Sequence, residues 1–275
     1  MPMQNTPFRQ IRALHDDEFV RVYQAYSDDI ADKAVQANSF EAPRAAGIWS
    51  AERMTWIKPS AVWMAYRCGW STMKDKKQAR VLALDLSRAR FEEMMMGARL
   101  AHGGESAKGT CKDAPVVVQW DPEREMFHEA EPKQVLTRGL TDVRSIQIGL
   151  RGPSVAMLLD PTFVLRITDV TEDFREAASK LAANDKTAAA AALWRHGAER
   201  PMEVPAPLRA VLGMDVEAPP AAEVTGRVAV AADADVSTTE ASATAAAPTS
   251  EAVAAGGKQQ LPAGCATLLR EAKQN

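Results

Sequence analysis

The sequence predicts an α+β fold: a single domain with a mixed central sheet flanked by helices, followed by a disordered C-terminal tail. Segments rich in β-formers alternate irregularly with segments of helical periodicity, which is typical of a mixed sheet. From residue 215 to 257 the composition changes to Ala, Val, Thr, Ser, Pro and Glu without aromatic residues, and such a segment buries too little apolar surface to fold. We therefore expect a globular domain over residues 8–213, a disordered acidic tail over 214–260 and a short helix over 261–275.

The first half of the chain predicts two strands, each followed by a helix. Phe19–Tyr26 alternates and is rich in β-formers, and helical periodicity follows over residues 28–38. Met54–Lys58 predicts the second strand, which ends at a proline. Ser60 is the expected N-cap of the helix that follows.

The second half of the chain predicts four further strands and three helices. We expect strands at Arg80–Leu86, Val116–Asp121, Arg144–Gly149 and Phe163–Thr168. One helix is expected after the first of these strands, and two more at Thr171–Leu181 and Lys186–Arg195. Pro122 is expected to end the strand before it, and residues 101–114 are expected to form a mobile polar loop.

The formal charge is unevenly distributed along the 275 residues. The whole chain carries −3, whereas residues 215–257 contain seven acidic residues and one arginine, so the remainder carries +3. A mildly basic domain is compatible with an anionic ligand, but its charge is far below that of a general nucleic-acid-binding protein.

The sequence disfavours several kinds of site. The three cysteines and four histidines show no CxxC pair and no metal-ligand spacing, so we expect neither a disulfide framework nor a metal site. The common phosphate-loop, dinucleotide-binding, hydrolase and zinc-protease motifs are absent from the sequence. The N-terminal residues do not resemble a signal peptide, and no apolar run reaches membrane-spanning length. We therefore expect a cytoplasmic protein without a membrane partner, and the oligomeric state stays open.

Four of the six tryptophans recur every seven residues, at Trp49, Trp56, Trp63 and Trp70. Flat aromatic faces that alternate with cations suit anions that carry flat rings, which are nucleotides or nucleic acid. An aromatic cluster at helical spacing is also typical of a hydrophobic core. We interpret these rings as mainly core residues, with the charged residues between them at the rim.

The stretch that holds these tryptophans supplies the first candidate site. Lys58 directly precedes an expected helix N-terminus, which favours anions, and Ser60 would supply a further donor there. The candidates in this stretch are Arg53, Lys58, Ser60, Trp63, Tyr66 and Arg67. A strand-to-helix corner with an exposed lysine and a stacked structural arginine would explain the same residues.

Two later segments supply the remaining candidates. Asp121, at an expected strand end, is suited to general-base or ribose-binding work, although an Asp-Pro turn would explain it as well. Alternation in the strand Arg144–Gly149 puts Arg144 on one face with two isoleucines, and Gln147 on the other. An arginine beside isoleucines needs a partner, and a phosphate or Asp121 would serve.

Over about residues 8–205 the chain resembles the family catalogued as domain of unknown function 4291. The motifs that carry the resemblance are Arg53-Met-Thr-Trp-Ile-Lys-Pro-Ser60, Val118-Gln-Trp-Asp-Pro-Glu-Arg124 and Arg144-Ser-Ile-Gln-Ile-Gly149. His15 stands where a tyrosine is expected in the family. The resemblance implies a family but no function.

A fainter resemblance is to the ADP-ribosyltransferase fold. It rests on the order of the segments Val20–Tyr26, Asp28–Phe40, Met54–Lys58 and Ser60–Trp70. The resemblance implies NAD binding and places the ligand-binding residue of the first strand at Tyr23 or Gln24. The catalytic glutamate of that fold has no counterpart in Arg144–Gly149, and some relatives that act on RNA phosphates use arginines instead.

We therefore expect a nucleotide-utilising enzyme, an NAD-dependent ADP-ribosyltransferase-like transferase that acts on a nucleic-acid or phosphate acceptor. The expected catalytic residues are Arg53, Asp121, Arg144 and Gln147. The residues expected to bind the cofactor are Tyr23, Gln24, Lys58, Ser60, Trp63, Tyr66 and Arg67. A non-catalytic module that binds RNA or nucleotides is the main alternative, and an interaction scaffold with wholly buried aromatics is a third.

Overall fold

The computed structural model describes residues 7–72, 75–101, 113–129 and 135–216. The tail predicted beyond residue 216, the terminal helix and most of the predicted loop at 101–114 lie outside the described residues. The described fold continues through residue 216, and the side chain of Met214 is buried in the core.

Strands and helices alternate irregularly along the described residues, which confirms the predicted α+β class. The strands are β1 (Arg12–Ala13), β2 (Phe19–Tyr26), β3 (Thr55–Ile57), β4 (Arg80–Ser87), β5 (Arg99–Leu100), β6 (Val116–Glu129), β7 (Val135–Leu150), β8 (Val164–Asp169) and β9 (Arg200–Pro201). The helices are α1 (Asp28–Ala37), α2 (Glu41–Ala45), α3 (Ala61–Cys68), α4 (Arg88–Met96), α5 (Pro153–Ala156), α6 (Thr171–Ala182), α7 (Lys186–Leu193) and α8 (Ala206–Val211).

The central sheet is mixed and consists of two parts that meet at β2 and β3. Strands β2, β4 and β8 pair antiparallel in the order β2-β4-β8. The second part has the order β3-β7-β6-β5, in which only β5 pairs parallel with its neighbour. An antiparallel bridge between Tyr23 and Lys58 joins the two parts, with N···O distances of 2.8 and 3.3 Å.

Helices cover both faces of this sheet and define two hydrophobic clusters. Helices α1 and α4 pack on one face, where Val22, Leu84 and Ile148 belong to the larger cluster. Helices α3 and α6 pack on the other face, where Tyr23 and Phe174 belong to the smaller cluster. Because side chains alternate along each strand, every candidate site residue on a strand is assigned to one of these faces.

Most of the predicted elements are confirmed, but two strand boundaries are wrong. The strand predicted at Arg144–Gly149 begins nine residues earlier, at Val135. Strand β2 and the Ser60 cap agree with the prediction, since Ser60 Oγ accepts a hydrogen bond from Trp63 N at 3.2 Å. The strand predicted to end at Asp121 instead continues through Pro122 to Glu129. The pairing with β7 shifts register between Pro122 and Arg124, and such an irregularity accommodates the missing proline N–H. Asp121 therefore lies within a strand, and the alternative Asp-Pro turn is also wrong.

The four regularly spaced tryptophans divide between the core and its edge. Trp49 and Trp70 are 8% and 4% exposed, and Trp49 stacks on Phe40 with ring centroids 5.2 Å apart. Trp56 and Trp63 are only partly buried. The interpretation of these rings as core residues holds for Trp49 and Trp70 only, and the hypothesis that all of them are wholly buried is wrong.

Gly149 gives the clearest test of packing in the central sheet. It lies opposite Trp56, and a Cβ atom there would overlap the Met54 methyl group and lie 3.0 Å from the Trp56 ring. We expect Gly149→Ala to lower the free energy of unfolding by about 1–3 kcal/mol, because the ring and the strand must move apart. Urea unfolding monitored by circular dichroism measures the change.

The control is Gly139→Ala on the same strand, where the nearest atom would be Pro122 Cβ at 4.0 Å. This variant should be as stable as the unchanged chain. Equal stability of the two alanine variants would contradict the packing described for Trp56.

Candidate functional site

A cluster of polar and aromatic side chains lies on the sheet face covered by α3 and α6. Strand β3 leads into α3 through Lys58 and Ser60, and the middle of β6 passes beneath that helix. We call this group the Lys58 cluster, and it comprises Lys58, Ser60, Trp63, Tyr66, Gln119, Asp121, Glu123, Arg124 and Glu199.

A buried ion pair is at the centre of the Lys58 cluster. Lys58 Nζ donates to Asp121 Oδ2 at 2.8 Å, and the two side chains are 1% and 15% exposed. Asp121 Oδ1 accepts a second hydrogen bond from Gln119 at 2.9 Å. Burial lowers the pKa of Lys58 to about 8, although the charge of Asp121 opposes that shift. The lysine therefore loses its proton more readily than an exposed lysine does.

Each of the two aromatic rings of α3 in this cluster contacts a cation. Lys58 Nζ lies 3.1 Å from the centroid of Trp63, and Arg124 Cζ lies 3.1 Å from that of Tyr66. Tyr66 is 40% exposed and Trp63 is partly exposed, so both rings reach the surface. Such cation–aromatic contacts hold the rings in place beside the ion pair.

Arg124 has a nitrogen without a partner. Its Nε is buried and makes no hydrogen bond within the part of the chain that the structure describes. Burial also lowers the pKa of Arg124, against the effects of Tyr66 and Asp121. Buried polar groups in proteins are nearly always paired, so this guanidinium nitrogen is an exception within the Lys58 cluster.

Ser60 connects α3 to β6. Its hydroxyl donates to Glu123 Oε1 at 2.9 Å and accepts from Trp63 N. The same carboxylate oxygen accepts from Arg124 N at 2.8 Å. The sequence predicts Ser60 as an anion donor, whereas in the structure its hydroxyl proton is already used by Glu123.

Glu199 is a member of the cluster that the sequence does not predict. It precedes β9, and its Oε1 accepts from Ala61 N, in the first turn of α3, at 2.6 Å. Burial and, to a lesser extent, the nearby Glu123 raise the pKa of Glu199 to about 8. No motif surrounds Glu199 in the sequence. Only the fold brings it into contact with Ala61 of α3, which lies 138 positions earlier in the chain.

The structure brings together five predicted residues in this cluster and places Gln147 on the same face. The five are Lys58, Ser60, Trp63, Tyr66 and Asp121. Gln147 on β7 pairs with Gln119 on β6, which directs its side chain to the same face of the sheet.

Two predicted ligand-binding residues of β2 have structural partners. Tyr23 is buried against Phe174 with ring centroids 6.0 Å apart, and burial raises the pKa of its hydroxyl. Gln24 lies on the opposite face and donates to Thr55 Oγ1 at 2.8 Å and to Trp56 O at 3.0 Å. Gln24 thus ties β2 to β3, and its predicted contact with a nucleotide stays a prediction.

The structure does not bring the three predicted arginines into the cluster. Arg53 and Arg67 are exposed. Arg144 pairs with Pro122 and lies on the face of Ile146, opposite the Lys58 cluster, where its guanidinium stacks on Phe8 at 5.1 Å. The alternation predicted for the segment around Arg144 is confirmed, whereas its catalytic role stays a prediction.

Metal-binding and membrane-spanning features are not found in the described ranges. Within them, no group of three or more His, Cys, Asp or Glu side chains is arranged to hold a metal ion. Nor does any helix of those residues have the length and apolar character needed to cross a membrane.

The protonation of Glu199 predicts a pH dependence of stability. Its pKa is raised from 4.5 to about 8 on folding, so the folded chain binds the proton more tightly than the unfolded chain. The stability that this provides is complete below pH 4.5 and is lost as the pH rises through 8. We expect Glu199→Gln, which keeps an acceptor for Ala61 N, to reduce this loss, as measured by thermal unfolding at pH values from about 5 to 9.

The matched control is Glu203→Gln, because Glu203 is exposed in the same region of the chain. The thermal stability of this variant should depend on pH in the same way as that of the wild-type chain. Identical profiles for both variants and the unchanged chain would contradict the proton binding assigned to Glu199.

Comparison with known proteins identifies one family. The family model described as "Domain of unknown function (DUF4291)" matches residues 10–200, which include every residue of the Lys58 cluster. No curated protein matches the sequence.

Proposed function

The chain belongs to the domain of unknown function 4291 family, and we propose that it is a nucleotide-using transferase whose active site is the Lys58 cluster. The nucleotide that we propose is NAD, which would supply an ADP-ribosyl group to a nucleic-acid or phosphate acceptor in the cytoplasm. The observation that carries the proposal is the buried ion pair of Lys58 and Asp121 beside the partly exposed rings of Trp63 and Tyr66.

The ion pair supports a catalytic site because it is costly to bury. Removing a lysine and a carboxylate from water costs several kcal/mol per ion, and well-packed apolar residues would often be as stable. The pair also has a lysine whose pKa is about 8. Groups with strongly shifted pKa values are frequent at functional sites, since a lysine that loses its proton more readily can accept and return a proton during a reaction.

The neighbouring side chains suit the parts of a nucleotide. Trp63 and Tyr66 offer flat surfaces for a ring. Asp121 is 15% exposed, and Gln147 lies on the same face, so carboxylate and amide groups are available for ribose hydroxyls. The unpaired Nε of Arg124 is a donor for a phosphate oxygen.

The carboxylates of the cluster favour an enzyme over the alternative, an RNA-binding module. Asp121 and Glu123 lie beside the cations Lys58 and Arg124. A surface that follows an RNA backbone gains affinity from cations, and carboxylates on it repel phosphates. Carboxylates are instead suited to orienting hydroxyl groups and accepting a proton from an acceptor.

The proposal is tested by incubating the purified chain with adenylate-labelled NAD, with and without short RNAs that carry a 5′- or 3′-phosphate. We expect released nicotinamide and an ADP-ribosyl adduct, both identified by mass. Asp121→Asn should reduce turnover by about 10²–10⁴-fold, because it removes the carboxylate that pairs with Lys58. Arg53→Ala and Arg144→Ala test the catalytic roles predicted from the sequence.

The control for this experiment is Asp142→Asn, an exposed carboxylate on the neighbouring strand β7. It should keep full turnover, and circular dichroism should show that each variant is folded. Unchanged turnover in Asp121→Asn would exclude the Lys58 cluster as the active site. Intact NAD with saturable, strongly salt-dependent RNA binding would establish the RNA-binding module instead.

A further inference from the structure

Two neighbouring arginines lie on the sheet face opposite the Lys58 cluster. A parallel bridge pairs Arg9 with Arg144, and Arg144 N donates to Phe8 O at 2.7 Å. Directly paired residues project to the same side of a sheet, so the two guanidinium groups leave the backbone side by side.

Aromatic rings flank both guanidinium groups. Arg144 Cζ lies 5.1 Å from the centroid of Phe8, and Arg9 Cζ lies 5.9 Å from that of Trp120. The indole N–H of Trp120 donates to Leu212 O at 2.9 Å, which fixes that ring. Guanidinium groups held against rings keep their N–H edges available for a planar or tetrahedral anion.

Neither Arg9 nor Arg144 forms a salt bridge with a carboxylate among the described residues. Arg9 donates from Nη1 to Gly213 O at 2.9 Å, while its buried Nε has no partner within those residues. Burial lowers the pKa of both arginines. The charge of Arg144 lowers the pKa of Arg9 further, whereas the charge of Asp121 partly opposes the shift of Arg144. Two adjacent, half-buried cations repel each other unless an anion lies between them.

We propose that Arg9 and Arg144 form a binding site for a phosphate group, separate from the Lys58 cluster. A phosphate group neutralises both cations and accepts charge-assisted hydrogen bonds from two guanidinium groups. Arg9 also lines a cavity of about 350 Å³ together with Glu203 and Arg209, so a ligand can approach it from solvent. The site does not depend on the function proposed for the other face.

The test is a calorimetric titration of the full chain with inorganic phosphate at constant ionic strength. We expect saturable binding at one site. Arg9→Gln and Arg144→Gln should each weaken it by at least about tenfold, because each removes a charge-assisted hydrogen bond. Arg144→Lys, which restores the charge without the forked donor, should recover part of the affinity.

A control variant shows whether phosphate binding belongs to this arginine pair. Arg138→Gln alters an arginine on the same strand that also stacks on a phenylalanine, Phe127 at 4.4 Å, but is paired with Glu125. This variant should bind phosphate as the wild-type chain does.

Several outcomes would overturn the proposal. They are the absence of saturable binding, equal affinity in all variants, and a loss of affinity in Arg138→Gln as large as that in Arg9→Gln and Arg144→Gln. In phosphate-free buffer of low salt, Arg144→Gln should melt at or above the Tm of the unchanged chain, because it relieves repulsion between the arginines. A lower Tm would assign the pair a structural role instead.

Discussion

The backbone groups of Tyr23 and Lys58 exchange two hydrogen bonds, and the position of the candidate site depends on this junction between the two parts of the sheet. The junction aligns β3 beside β2, so Lys58 projects to the same face as Tyr23. From there its side chain reaches Asp121 on β6, with β7 between the two strands. The lysine is covered by Trp63 because α3 begins immediately after β3.

The charged side chains of the Lys58 cluster can be buried because hydrogen bonds satisfy nearly all of them. Asp121 accepts from Lys58 and Gln119, and Glu123 accepts from Ser60 and from a backbone amide. Networks of this kind are stable only when their members are paired, since the low dielectric that strengthens each bond also penalises an unpaired group. The guanidinium nitrogens of Arg124 and Arg9 that lack partners among the described residues are therefore the informative exceptions, one on each face of the sheet.

Much of the fold and part of the site are predictable from local sequence. The alternation in Phe19–Tyr26 and the cap at Ser60 each reflect neighbouring residues, and both predictions are confirmed. The strand that continues past Pro122 is not predictable, because pairing with β7 stabilises it despite the missing N–H. The place of Glu199 in the cluster is not predictable either, because its partner Ala61 is distant in sequence.

Local sequence is enough to predict the α+β class and which side chains of a strand share a face, because alternation and capping depend on adjacent residues. The family follows from the motifs of the chain. Which of the strand faces meet is known only from the folded chain. The tertiary structure paired Lys58 with Asp121 across 63 positions and separated Arg144 from both. Strand order and register cause this difference, since they are fixed by packing between distant segments and leave no local pattern in the chain.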